Sequence, residues 1–137
     1  MPYSKLVSVT KLTSHNSGYR THKVDRITPH HTAGCGPVES VLAWFCNPQC
    51  DGSSNYIIGS DGRVALSVDE ANRAWTSSSR ANDDRAITIE VCNSASGGNW
   101  PVSDKAFDTL VLLCTDICQR YNKNKLLYFD KNTALAY

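Results

Sequence analysis

The chain has 137 residues, enough for one domain with a hydrophobic core and too few for two ordinary domains. Apolar residues make up 41% and charged residues 20%, a composition that is globular and excludes a disordered chain. The net charge of +1 gives no reason to expect a nucleic acid or an anionic membrane surface as partner. No apolar run approaches the roughly 20 residues that cross a bilayer, so membrane insertion is not expected.

The N-terminal half begins with a polar segment and continues into regular elements. Residues 1–23 predict an irregular lead-in with at most one short strand, near residues 5–11. The run Val24–His30 predicts a buried strand. Pro37 then suits the first position of a helix, whose apolar residues recur at helical spacing and which ends before Pro48.

The middle of the chain predicts a hairpin. Residues 55–58 and 63–68 are strand-like, and the turn residues at 59–62 connect them. Residues 69–73 are typical of a turn or a short helical piece. The segment 76–84, rich in Ser, Asn and Asp, predicts a loop.

The strand signal is clearest at residues 86–92, where apolar residues on both faces indicate a central position in a sheet. Ser103 is a good N-cap for a long helix that ends near Asn122. Residues 126–129 predict a last short strand. This order of elements predicts a single α/β domain over residues 1–137, with a central mixed β-sheet flanked by helices.

The cysteine pattern excludes some site types. No CxxC pair is present, so zinc-ribbon and thioredoxin-like sites are not expected. The first residues lack the apolar segment of a secretory signal, so we expect the chain to stay in the cytoplasm. Cysteines in the cytoplasm are usually reduced, so disulfides are not expected. A bridge or metal clip between Cys46 and Cys50 stays open, as does a redox or zinc protein that uses the six cysteines.

Two positions carry candidate chemistry. His30 and His31 end the Val24–His30 strand beside a turn of small residues, a place suited to a metal ligand, although two exposed loop histidines give the same pattern. Glu90 interrupts an apolar strand, where a carboxylate is costly unless it is paired or faces water. Glu90 therefore either meets a cation such as Arg85 or Arg63, or lines a cleft where it can act as general base.

Four segments in sequence resemble a known family. They are the runs Ile27–Gly34, Ser53–Val64, Ala74–Trp75 and Ala86–Val91. In this order they resemble the zinc-dependent N-acetylmuramoyl-L-alanine amidases, which include phage endolysins related to T7 lysozyme and the peptidoglycan recognition proteins. The resemblance runs from about Lys23 to Tyr121.

The resemblance implies a function and several residue roles. The implied reaction is hydrolysis of the amide between N-acetylmuramic acid and L-alanine in bacterial peptidoglycan by a zinc-activated water. His30 matches the first zinc ligand, and Glu90 matches a glutamate that activates the water in some members. His31 matches a variable neighbour that supports the ligand or lies at the surface. A phage-type endolysin would be made in the bacterial cytoplasm and act on the cell wall after release.

The sequence departs from the family pattern at several motif positions. Asn55 stands where the family often has histidine, and Thr76 follows Trp75 where histidine is frequent. Together with Ser54, these residues are expected to contact the substrate or to support the site. The residues Tyr56, Asp61 and Gly62 match positions with structural roles.

The metal ligands form the largest departure. All four histidines lie in the first quarter of the chain, and the family's later histidine and its cysteine or aspartate are not found after Tyr121. Either the domain lacks its C-terminal part here, or a site is rebuilt from His30 with Cys35, Cys92 or Asp130. A catalytic zinc takes three protein ligands. A non-catalytic peptidoglycan-binding module of the same fold is therefore the alternative function.

Overall fold

The computed structural model describes residues 3–130, 132 and 133. The described elements are seven strands and three helices. In chain order they are β1 (Val7–Thr10), β2 (Asn16–Tyr19), β3 (Arg26–His31), α1 (Val38–Phe45), β4 (Tyr56–Ile58), β5 (Val64–Leu66), β6 (Asn72–Ala74), α2 (Arg80–Arg85), β7 (Ala86–Val91) and α3 (Asp104–Arg120).

Five of these strands form one mixed sheet in the order β1-β5-β4-β7-β3. β4 and β5 run antiparallel as a hairpin, whereas β7 is parallel to both of its neighbours, β4 and β3. β7 is thus an interior strand and β3 an edge strand. The predicted α/β class and central mixed sheet are confirmed.

Different helices cover the two faces of the sheet. Side chains alternate between the faces along a strand, so Ile57 points to one side and its neighbours in β4 to the other. On the α1 face, Val38 and Leu42 of α1 pack against Ile57. On the α3 face, Leu113 and Ile117 of α3 pack against the opposite side chains of the sheet. Each fully buried aliphatic side chain stabilises the fold by about 1.5–3 kcal/mol.

The hairpin turn and α3 approach each other closely at Gly62. This residue has a φ of +86°, and a Cβ placed there would lie 3.0 Å from Thr109 Oγ1 and 3.4 Å from the Lys105 carbonyl oxygen. The Thr109 hydroxyl donates a hydrogen bond to the Gly62 carbonyl at 2.9 Å. Any other residue would be strained by its backbone and crowded by α3.

Several sequence predictions are wrong in detail. The buried strand predicted at Val24–His30 is β3, an edge strand whose residues are half-buried or exposed. Residues 69–73 were expected as a turn or helical piece, but 72–74 form β6, which pairs antiparallel with β2 in a separate ribbon. Both strands are short and polar, so they lack the alternating pattern of a strand. The predicted loop 76–84 contains the start of α2, which Ser79 caps by accepting a hydrogen bond from the Asn82 amide. Residues 126–129 form no strand.

All six cysteines are free thiols, so no bridge joins Cys46 to Cys50. Cys50 and Cys92 are buried, and Cys35 is exposed. Within the described part of the chain, no helix is both long enough and apolar enough to cross a membrane.

Candidate active site

The strand register brings His30 and Glu90 together. They are direct partners near the carboxyl ends of β3 and β7, and Ile57 of β4 is the partner of Glu90 on its other side. Register partners project to the same face of a sheet, so both side chains lie on the α1 face with Ile57. The sequence placed these residues at two strand ends 60 positions apart, and parallel pairing makes them neighbours.

The imidazole of His30 contacts the carboxylate of Glu90 directly. Nδ1 of His30 lies 3.2 Å from Oε1 and 3.4 Å from Oε2 of Glu90. The side chain of His30 is 55% exposed and that of Glu90 is 11% exposed. Glu90 therefore lies at the floor of an open site and His30 at its rim. Of the two alternatives for Glu90, the pairing with Arg85 or Arg63 is not the one in the structure, since Arg85 pairs with Asp25 and Arg63 with Glu39 and Asp61.

The electrostatics of Glu90 follow from its position. Burial raises the pKa of the carboxyl, and the nearby His30 and His31 side chains oppose that rise. When it is ionised, the carboxylate only accepts hydrogen bonds, so His30 donates through Nδ1 and keeps a lone pair at Nε2. This is the arrangement in which a carboxylate orients an imidazole that acts through its other nitrogen.

His31 lies beside this pair. Its Nδ1 is 3.2 Å from Oδ1 of Asn93, and its ring stacks on that of His30 with centroids 5.5 Å apart. The indole of Trp100 also lies against the His31 ring, at 5.9 Å between centroids. Asn93 and Trp100 were not identified from the sequence. Asn93 lies three residues after Glu90, just beyond the carboxyl end of β7. This position was the feature of the sequence that could have identified it as a site residue.

Ser54 and Asn55 are fully buried. The Ser54 hydroxyl donates to the Tyr56 carbonyl at 2.7 Å. The Asn55 amide donates to the carbonyls of Val68, Asp69 and Asn72, and its oxygen accepts from Thr88 and Arg20. Both side chains thus hold the backbone, and direct substrate contact is not available to them.

Thr76 makes hydrogen-bond contacts with polar groups near Glu90. Its hydroxyl lies 2.6 Å from the Ser53 carbonyl oxygen and 2.8 Å from the Thr88 hydroxyl. Thr88 is two residues before Glu90 on the same strand and therefore on the same face. The two positions where the family often has histidine, 55 and 76, thus meet at Thr88 and support the floor of the site.

Trp75 is placed away from the His30–Glu90 pair. Its indole is 40% exposed, stacks on His15 at 5.5 Å and donates from Nε1 to the Ser17 hydroxyl. It lines a cavity of about 240 Å³ whose described lining includes neither His30 nor Glu90 but does include Arg73.

The described residues do not fit a catalytic zinc ion. Within residues 3–130, 132 and 133, no group of three or more His, Cys, Asp or Glu side chains is close enough to hold a metal ion. The rebuilt site with Cys35, Cys92 or Asp130 is therefore wrong for this part of the chain. Cys35 contacts the Ser96 hydroxyl, and Asp130 accepts from the Thr133 amide.

Comparisons with solved structures show the same fold in PlyL, in an endolysin and in a peptidoglycan recognition protein. PlyL is 21% identical, with a TM-score of 0.69 over 84% of this chain and 74% of that one. A mutant endolysin from Bacillus subtilis is 18% identical, with a TM-score of 0.67 over 85% and 77% of the two chains. Drosophila peptidoglycan recognition protein SA is 19% identical, with a TM-score of 0.63 over 85% and 76%.

The sequence comparisons decide the family. No curated protein sequence gives a significant match. The profile of the N-acetylmuramoyl-L-alanine amidase family matches residues 20–128. This range includes the strands that carry His30 and Glu90 and nearly all of the sheet. Because the match spans well over half of the sequence, this chain belongs to the N-acetylmuramoyl-L-alanine amidase family.

Proposed function

We propose that this chain is a peptidoglycan amidase of the phage endolysin type. The reaction is hydrolysis of the amide that joins the lactyl group of N-acetylmuramic acid to L-alanine. The observation that carries the proposal is the contact of His30 with Glu90 on one face of the sheet, in a family of amidases. An exposed imidazole beside a mostly buried carboxylate is a suitable acid–base centre for hydrolysis.

Glu90 has the properties of a general base in this reaction. A buried carboxyl whose pKa is raised is a stronger proton acceptor than an exposed one. As water attacks the amide carbonyl carbon, a C–O bond forms and the carboxylate takes a proton from the water. The proton then passes to the alanine nitrogen as the C–N bond breaks. The products are a lactyl carboxylate and a free α-amine on L-alanine.

His30 supports this step through its position. Its Nδ1 contacts Glu90, and its exposed edge presents Nε2 to the substrate side of the site. Zinc is implied by the family resemblance, but the described residues supply no three-ligand group. No step of the proposed reaction is therefore assigned to a metal.

A non-catalytic peptidoglycan-binding domain is the second candidate. The absence of a three-ligand group among the described residues favours it, because hydrolysis in this family is expected to use zinc. In this case, the same face of the sheet would bind the glycan and its peptide without cleaving them.

One experiment separates the two functions. The purified chain is incubated with insoluble cell wall, with and without added zinc or a chelator. Mass spectrometry detects released peptides with a free L-alanine amine, and sedimentation measures binding. Release by the wild type, with a large loss in His30→Ala, supports the amidase. Binding without release supports the binding domain, and neither binding nor release contradicts both.

A further inference from the structure

Asn93 has only one possible amide orientation. Its side chain is fully buried, and Nδ2 lies 2.8 Å from the Trp100 carbonyl oxygen and 3.4 Å from that of Pro101. Carbonyl oxygens only accept hydrogen bonds, so the atom that faces them must be the NH₂ group. The Oδ1 atom of Asn93 therefore points the other way, towards His31.

This orientation determines the tautomer of His31. Nδ1 of His31 lies 3.2 Å from Oδ1 of Asn93, and an amide oxygen cannot donate. The hydrogen must therefore be on Nδ1, and a neutral His31 has an unprotonated Nε2. Within the described part of the chain, Nε2 has no hydrogen-bond partner, and the side chain is exposed.

Two neighbouring rings also restrict the ring of His31. His30 stacks on it with an angle of 15° between the ring planes, and Trp100 lies against it at 47°. Ring stacking and the Asn93 hydrogen bond together restrict both side-chain torsions of His31. The lone pair of Nε2 is thus presented in a fixed direction beside the His30–Glu90 pair.

We propose that His31 is a specificity-determining residue that binds substrate through Nε2. The lone pair accepts a hydrogen bond from an uncharged donor of the peptidoglycan fragment, an amide N–H or a hydroxyl. Asn93 is the positioning residue that fixes the tautomer. The inference rests on the proposed function, because it places peptidoglycan at the His30–Glu90 pair. A site that orients a lone pair in this way selects ligands with a donor at that point.

The first test is the tautomer itself. Long-range ¹H–¹⁵N correlation spectra of the wild-type chain, recorded where its imidazoles are neutral, identify which nitrogen carries the hydrogen. We expect the hydrogen of His31 on Nδ1, and Asn93→Ala should give a mixture of tautomers. A hydrogen on Nε2 in the wild type overturns the inference, whatever the chain binds.

The second test is binding of a soluble muropeptide by calorimetry. His31→Phe keeps an aromatic ring beside His30 and Trp100 but has no lone pair, whereas His31→Gln keeps an acceptor near the position of Nε2. We expect His31→Phe to weaken binding about tenfold, the effect of one lost hydrogen bond, and His31→Gln to stay within about threefold of wild type.

The outcomes separate this inference from the proposed function. Unchanged binding by His31→Phe contradicts the role of His31 and leaves the proposed function standing. Equal losses in His31→Phe and His31→Gln also contradict it, because they would point to ring shape and not to the lone pair. A wild-type chain that binds no muropeptide overturns the proposed function, and this role of His31 with it.

Discussion

Glu70 and Arg120 form a buried ion pair that joins the end of α3 to the turn before β6. Two guanidinium nitrogens of Arg120 lie 2.8 and 2.5 Å from the two carboxylate oxygens, and Glu70 is 2% exposed. The hydroxyl of Tyr56, in β4, donates to the same carboxylate at 2.6 Å. The pair therefore connects α3 to the sheet at the opposite end from the Gly62 contact.

We expect Glu70→Ala to lower the free energy of unfolding by about 3–5 kcal/mol. Removing the buried carboxylate leaves the Tyr56 hydroxyl and two guanidinium nitrogens of Arg120 without their acceptor, and Arg120 keeps only its pairing with Asp116 through Nε. Urea unfolding followed by circular dichroism measures the change. Glu39→Ala is the matched control, because Glu39 pairs with Arg63 on the exposed surface and its loss should change stability little. Equal effects of the two substitutions would contradict the role given to the Glu70 pair.

Local sequence patterns predicted some strands of this fold, but strands that depend on pairing with distant segments were missed. The strand around Glu90 was predicted because its apolar residues mark a buried strand with one polar interruption, and His30 because it ends a predicted strand beside a turn of small residues. β2 and β6 were missed since each is short and polar and pairs with a strand that is distant in sequence. Residues 126–129 have strand-like composition but form no strand in the structure.

Local sequence patterns also fail to identify the residues that support the site. Asn93 reaches His31 across 62 positions of sequence, and no local pattern marks this contact. Asn55 was expected near the substrate because of its place in a motif. Its burial follows from six hydrogen-bonding groups contributed by distant segments, which only the folded chain assembles.

Asn55→Ala is expected to destabilise the fold without changing ligand affinity. The substitution removes the hydrogen bonds of the Asn55 side chain to three backbone carbonyls, to one guanidinium nitrogen of Arg20 and to the Thr88 amide, at a cost of at least about 3 kcal/mol. Thermal unfolding measures this loss. Because Asn55 is fully buried, the dissociation constant of a muropeptide at low temperature should change less than about twofold. A large loss of affinity in a folded variant would instead show that Asn55 takes part in binding.

The cysteines should react with an alkylating agent in an order set by burial. Burial raises the pKa of the Cys92 thiol to about 11, so at pH 8 only about one thiol in a thousand is a thiolate. Cys35 is exposed and should be modified first. Because the thiolate is the reactive form, the rate at Cys92 should rise with pH up to about 11. Iodoacetamide labelling with peptide mass spectrometry measures both rates.

Two controls make the labelling test decisive. Cys35→Ser should remove the fast phase and leave the slow sites unchanged, and unfolding in urea should make all six cysteines reactive. Protection of Cys35 in the native chain would contradict its exposure. A disulfide between Cys46 and Cys50 would contradict the free thiols of the structure.

Glu90→Gln tests the proposed general base directly. The amide keeps the size of the side chain and can still accept a hydrogen bond from Nδ1 of His30, but it cannot take a proton from water. If the chain is an amidase, we expect hydrolysis to fall about 10²–10⁴-fold while binding to insoluble cell wall stays within about threefold. The initial rate of L-alanine amine release and a sedimentation assay measure the two quantities.

The matched control for Glu90 is Asp108→Asn, which neutralises an exposed carboxylate on α3, on the opposite side of the sheet. Its hydrolysis rate should equal that of the wild type.

The pH profile of hydrolysis adds an independent test, since Glu90 accepts a proton only when it is ionised. The wild-type rate should therefore rise with pH. Because burial raises the pKa of Glu90, the midpoint of this rise should lie at a higher pH than the usual pKa of a glutamate. A Glu90→Gln variant with wild-type hydrolysis would show that another group accepts the proton, whereas equal losses of binding and hydrolysis would place Glu90 among the residues that hold the site together.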